Sequence, residues 1–242
     1  STHKPEIQVI HRGIDISKFD PERLCPAKCE ELRKRWEIHP SQTVVMLPGR
    51  ITRWKGQAVF IEAIAKIKQE KITYLLVGDN KGKDHFVDEL NALILKYNLQ
   101  NQVKLVGGCK DMPTAYGISD IVVSASTDPE AFGRVACEAQ AMKCLVVATR
   151  HGGSLETISP EQQNLLCNVS DCESLAEAIE IALNLCREEN QERKNHILSS
   201  SRKHIEDKFT LELMCKDTLA LYTKVVANQD EEFRKTCHDK IT

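Results

Sequence analysis

Ser126-Thr-Asp-Pro-Glu130-Ala-Phe-Gly133-Arg-Val-Ala-Cys-Glu138-Ala-Gln-Ala-Met142, continuing through Leu145-Val-Val-Ala-Thr-Arg-His-Gly152-Gly153-Ser-Leu-Glu156, is the stretch around which the chain is organised. An apolar run, Ile121 to Ser124, reads as a buried strand ending just before it, and a helix is expected to start near Gly133. Glu130 and Glu138 stand eight residues apart across that junction. On a wheel of about 100° per residue with Val135 at zero, Ala139 and Met142 fall within about 40° of it and Glu138 about 60° away. Glu138 therefore borders the apolar face, where an unpartnered carboxylate would be costly. Its partner is either another side chain or a ligand.

Working outward, unbroken apolar runs alternate with helical patterns. Strands are expected at Val44–Leu47, Tyr74–Val77, Val103–Val106, Ile121–Ser124, Leu145–Ala148 and Leu165–Cys167. Between and after them, helices are expected over 57–69 (Phe60, Ile61, Ile64 and Ile67 inward), 85–97, 113–119, 133–142 and 175–186. Two further helices, about 190–207 and 211–227, carry no strands. Before the first strand, Ile7–Ile10 reads as a short edge strand, His11–Asp15 as a turn and Cys25–Glu37 as a polar helix. The division expected is an entry segment over 1–43, one domain over 44–227 and a charged, frayed tail over 228–242. Parallel strands need helical crossovers, so the fold class is α/β, a Rossmann-like doubly wound parallel sheet. In the order 3-2-1-4-5-6, the chain reverses between the first and fourth strands, and ligands bind at their carboxyl ends. The loop Pro48–Gly56 and the Glu130 loop would converge there.

Composition narrows the classes. The chain has 242 residues with a net charge of −2, so it offers no overall basic footprint for nucleic acid. Its longest apolar runs fall short of the ~20 residues that span a bilayer. The ten cysteines show no metal-binding spacing and read as reduced structural thiols, which points to a reducing cytoplasm. Dinucleotide, Walker-type, G-x-S-x-G and H-E-x-x-H motifs are all missing, as is a D-x-D pair for a divalent cation. Neither a metal nor a cofactor is expected.

In the crevice, Arg50 and Lys55 precede a helix start near Gly56, and cations beside a positive helix end suit a phosphate or diphosphate. The alternative is a solvated Lys-rich turn. Glu138 suits a vicinal diol such as a ribose, or else it pairs with an internal arginine. Glu130 could reach a second polyol, or be merely exposed. Phe132, Gly133 and Gly152-Gly153 permit close backbone approach.

Glu130 with Glu138, the flanking P-E-A-F-G, the E-A-x-A-M that begins at Glu138 and the G-G-x-x-E at 152–156 together resemble the retaining glycosyltransferases of family 4. The Gly49-Arg50 to Lys55-Gly56 loop and the entry turn His11–Asp15 resemble the same family. The resemblance implies the C-terminal half of a GT-B fold, the half that binds the donor, over roughly residues 5–225. It implies that Arg50 and Lys55, next to Gly49, hold the diphosphate and serve catalysis, and that Glu138 holds the ribose. Glu130, catalytic in this scheme, would hold the donor sugar with the backbone of Ala131, Phe132, Gly133 and Arg134. The base would lie between Val106 and Met112. Arg134 stands where the family is often apolar.

The implied reaction moves a hexosyl group from a nucleotide diphosphate sugar to a glycan or lipid-linked acceptor, with lipopolysaccharide or envelope acceptors expected from the family. The acceptor would be held by an N-terminal domain that this chain does not contain, leaving the chain alone inactive. A cytoplasmic protein, peripheral on the inner face of the membrane, is expected. A nucleotide-sugar epimerase of similar fold, a non-catalytic nucleotide-sugar-binding module and a scaffold without a ligand are the competing readings.

Overall fold

The computed structural model describes residues 7–79, 82 and 84–238. Six strands form one parallel sheet in the order β3-β2-β1-β4-β5-β6. They are β1 (Thr43–Pro48), β2 (Ile72–Val77), β3 (Val103–Gly107), β4 (Ile121–Ser124), β5 (Leu145–Thr149) and β6 (Leu166–Cys167). The helices are α1 (Pro26–Arg35), α2 (Gln57–Ile64), α3 (Asp84–Lys96), α4 (Met112–Gly117), α5 (Arg134–Ala141), α6 (Ser154–Thr157), α7 (Cys172–Leu185), α8 (Gln191–Lys208) and α9 (Leu211–His238). The expected strand order and the reversal between β1 and β4 are both present.

Successive strand residues point to opposite faces, and each face is a core of its own. Val45, Leu47, Leu76, Val123 and Val147 meet α2, α3 and α7 on one side. Val44, Met46, Leu75, Val122 and Val146 meet α1, α4, α5 and α8 on the other. Burial on both faces explains why the central strands read as continuous apolar runs. The entry segment supplies Ile14, Phe19, Leu32, Trp36 and Ile38 to the second core. Ile14 is tied to the far end of the chain, donating its N–H to the Phe209 carbonyl at 2.9 Å and accepting from Leu211 N–H at 2.9 Å.

Three local expectations are corrected. Residues 7–10 form no strand, and Ile7 and Val9 lie exposed, because this segment reaches neither edge of the sheet. Helix α2 stops at Ile64 rather than 69, where its last turn tightens into i to i+3 bonds from Lys66 and Ile67. The expected frayed tail continues α9 as far as His238, with no glycine or proline after Leu211 to break it. Residues 1–6 and 239–242 lie outside the described residues. No helix among the described residues is long and apolar enough to cross a membrane.

Candidate functional site

Helices α2 and α5 start at the carboxyl ends of the adjacent strands β1 and β4, each from a left-handed glycine. Gly56 has φ 74° and Gly133 φ 80°, and neither helix has a side-chain cap. Their first N–H groups are therefore left without a capping side chain, at the positive end of each helix dipole. Gly56 is also a point of contact between the two loops. A Cβ there would lie 1.9 Å from the Ala125 carbonyl oxygen, so only glycine lets α2 start against the end of β4.

The loops are stitched together. Thr127 donates its N–H to the Trp54 carbonyl at 2.7 Å. Lys55 Nζ lies 2.7 Å from Glu130 Oε1 in a pair withdrawn from solvent, with side chains 13% and 15% exposed. Ser126 Oγ donates to the same Oε1 at 2.5 Å. Glu130 Oε2 has no hydrogen-bond partner among the described residues. The β5–α6 loop closes the third side, with Gly153 N–H donating to the Glu130 carbonyl at 2.7 Å. Thr149 Oγ1 donates to the Ser126 carbonyl at 2.9 Å, which fixes Ser126 from the neighbouring strand.

Glu138 lies one turn into α5 and is only 7% exposed. Tyr116, from α4, donates its hydroxyl to Oε2 at 3.0 Å. Burial keeps that phenol protonated far above its ordinary range, and the Glu138 charge and hydrogen bond add to the effect. Arg134 Nη2 donates to Oε1 at 2.8 Å from a side chain that is 68% exposed. The side chains that meet Glu138 are thus a mostly exposed arginine of its own helix and a buried tyrosine.

Arg50 is exposed, and its guanidinium has no partner among the described residues. Its carbonyl accepts from Gln57 Nε2 at 2.9 Å, which fixes the Gly49–Arg50 turn on the start of α2. Gly49 N–H donates to the Val77 carbonyl at 2.8 Å, and the Lys55 methylenes lie over the Gly49 Cα. Phe132 is buried against Phe209, and Ala131 and Phe132 line a smaller cleft of about 200 Å³ with His11 and Arg12. Val106 and Met112 are partly buried against the second core. Val106 lines a groove of about 670 Å³ beside the edge strand β3, with Arg35, Trp36, Lys104 and the 108–111 loop.

The structure therefore brings Gly49, Lys55, Glu130 and Gly133 to one crevice and sets Glu138 and Arg134 on the helix rising from it. Sequence reasoning missed Tyr116 and Ser126. Ser126 stands four residues before Glu130, a spacing that could have been read. Tyr116 is 22 residues from Glu138 on another helix, and nothing in the sequence couples them. Among the described residues no cluster of three His, Cys, Asp or Glu side chains is placed to hold a metal.

Residues 28–198 match the family described as glycosyl transferases group 1. A crystal structure of a glycosyltransferase from Rickettsia africae superposes with a TM-score of 0.86 at 34% identity, covering 91% of this chain and 57% of that one. Anabaena HepE, crystallised in complex with UDP and glucose, superposes with a TM-score of 0.79 at 28% identity over 90% of this chain and 57% of its own. The D-inositol 3-phosphate glycosyltransferase of Jonesia denitrificans is 25% identical over 233 residues, 92% of this chain and 53% of the relative. The chain spans about half the length of the curated relatives it matches.

Proposed function

The chain belongs to the glycosyl transferases group 1 family, and we propose that it is the donor-binding half of a retaining, family 4 hexosyltransferase with a GT-B fold. The substrate is a nucleotide diphosphate sugar, and the sugar passes to a hydroxyl of a glycan or lipid-linked envelope acceptor. A second, N-terminal domain holds that acceptor, and the chain alone transfers nothing. On the same reading the enzyme works in the cytoplasm, against the inner face of the membrane.

The observation that carries this reading is the stitched crevice between the β1–α2 and β4–α5 loops, with two uncapped helix starts and Lys55 against Glu130. Each residue then has a task. Cleaving a glycosyl–phosphate bond leaves negative charge on the diphosphate, which must be stabilised as it develops. Arg50, Lys55 and the N–H groups at the starts of α2 and α5 supply that positive field without a metal ion. Lys55 has three donors, so it can hold the diphosphate while remaining on Glu130. Glu130 keeps Oε2 for a hydroxyl of the donor sugar, alongside the backbone of Ala131 to Arg134. Glu138 accepts from the ribose diol, and the base lies along Val106 to Met112.

Calorimetric titration with UDP, GDP and ADP, with and without Mg²⁺, tests it. One nucleotide binds saturably without metal, and Glu138→Ala weakens it by about 10- to 100-fold, the worth of hydrogen bonds to a charged group. In the full-length enzyme Lys55→Ala lowers kcat and leaves KM nearly unchanged. Unchanged nucleotide affinity in Glu138→Ala would remove the ribose assignment. The epimerase, binding-module and scaffold readings gain no separate support from the geometry.

A further inference from the structure

The Glu138 carboxylate is already occupied. Tyr116 takes Oε2 from inside the protein at 3.0 Å, and Arg134 takes Oε1 at 2.8 Å from a side chain that is mostly in solvent. The two partners are unequal. Tyr116 is a fully buried phenol held in the second core. Arg134 is the first residue of α5, one turn before Glu138, and its guanidinium covers the carboxylate from the solvent side. Glu138 is only 7% exposed with the Arg134 guanidinium on Oε1, so a diol approaching the carboxylate from solvent has to displace that guanidinium to reach it. Most of the guanidinium is hydrated already, so moving it off Glu138 desolvates little.

We propose that Arg134 is a built-in competitor for the nucleotide ribose at Glu138. It satisfies the carboxylate while the site is empty, and it must swing away before a nucleotide binds. This rests on the donor-site reading above and adds to it that Arg134 sets the affinity in the opposite direction from a binding residue. Tyr116 is the fixed positioning partner that keeps the carboxylate oriented through the exchange.

The test uses this chain in four forms: parent, Arg134→Met, Glu138→Gln and the double variant. Each is titrated calorimetrically with UDP, GDP and ADP and with the 2′-deoxy form of whichever binds best, and thermal melts establish that each form is folded. Arg134→Met is expected to bind about two- to fivefold tighter than the parent, the range of an exposed ion pair. The gain should shrink for the 2′-deoxy nucleotide and vanish in the double variant, where Glu138 can no longer receive the diol as a carboxylate. A purely structural arginine would not make the gain from its removal depend on the 2′-hydroxyl. If Arg134→Met binds equally or more weakly while Glu138→Gln still loses the nucleotide, the donor site stands and the competition is overturned. If no form binds any nucleotide, the donor-site reading fails and the inference fails with it.

Discussion

Glu130 and Glu138 are the same residue type at one strand-to-helix junction, yet their surroundings give them different chemistry. Glu130 has a lysine and a serine on one oxygen and none of the described residues on the other; Glu138 has a partner on each. Burial also sets the behaviour of His204, packed against Phe209, whose Nε2 is buried without a partner. Desolvation first, and Lys208 second, hold its pKa below the ordinary 6.5. The folded state therefore disfavours the proton more than the unfolded state does. The stability contribution is present above about 6.5 and is lost as pH falls through the lower folded value. Melting temperatures measured between pH 7.5 and 5.5 should fall less in His204→Asn than in the parent; equal slopes would discard this assignment.

At the scale of elements, a buried polar network joins α5, β5, α8 and the 3-10 turn Pro160–Leu165. Gln162 Oε1 accepts from Val146 N–H at 2.6 Å and its Nε2 donates to Ser201 Oγ at 2.8 Å, while Ser201 and Ser159 hydroxyls share a 2.7 Å bond. Gln140 spans α5 to the next turn, donating to the Thr157 carbonyl at 2.8 Å and accepting from Ser159 N–H at 2.9 Å. Gln162→Leu would leave the Val146 N–H buried without an acceptor. A loss of about 1–3 kcal/mol in urea unfolding is expected, from one orphaned backbone donor, while Ser201 keeps its bond to Ser159. A loss within about 0.5 kcal/mol would mean that water or relaxation replaces the glutamine. The elements themselves were legible, because six apolar runs and the amphipathic spacing of α2, α3, α5 and α7 carry their own signal. The polar network was not, since glutamines 22 residues apart, on a helix and a turn, have no periodicity in common.

For the whole molecule, two separate cores on the faces of one sheet predict graded thiol reactivity. Among the nine cysteines whose side chains are described, all free thiols, Cys25 and Cys215 are exposed, four are partly buried, and Cys137, Cys144 and Cys167 are buried. Burial pushes the Cys186 thiol up to about 11 and Cys167 up to about 12, and raises Cys137 and Cys144 further still. The thiolate is the reacting form. Mapping a disulfide-exchange reagent by mass spectrometry should find Cys25 and Cys215 labelled first and Cys137, Cys144 and Cys167 only after denaturation. Early labelling of those three would mean that the cores open far more readily than their packing implies. The sequence by itself determined the alternation of six strands with helices, and that Arg50, Lys55, Glu130 and Glu138 stand in or just beyond the segments that follow the first and fourth strands. Those follow from local hydrophobic patterning and from motifs contiguous along the chain. Only the tertiary structure decided which distant side chains meet: Lys55 with Glu130 across 75 residues, and Tyr116 with Glu138 across 22. Such pairings depend on where folding places distant side chains, and no spacing along the chain encodes a distance across it.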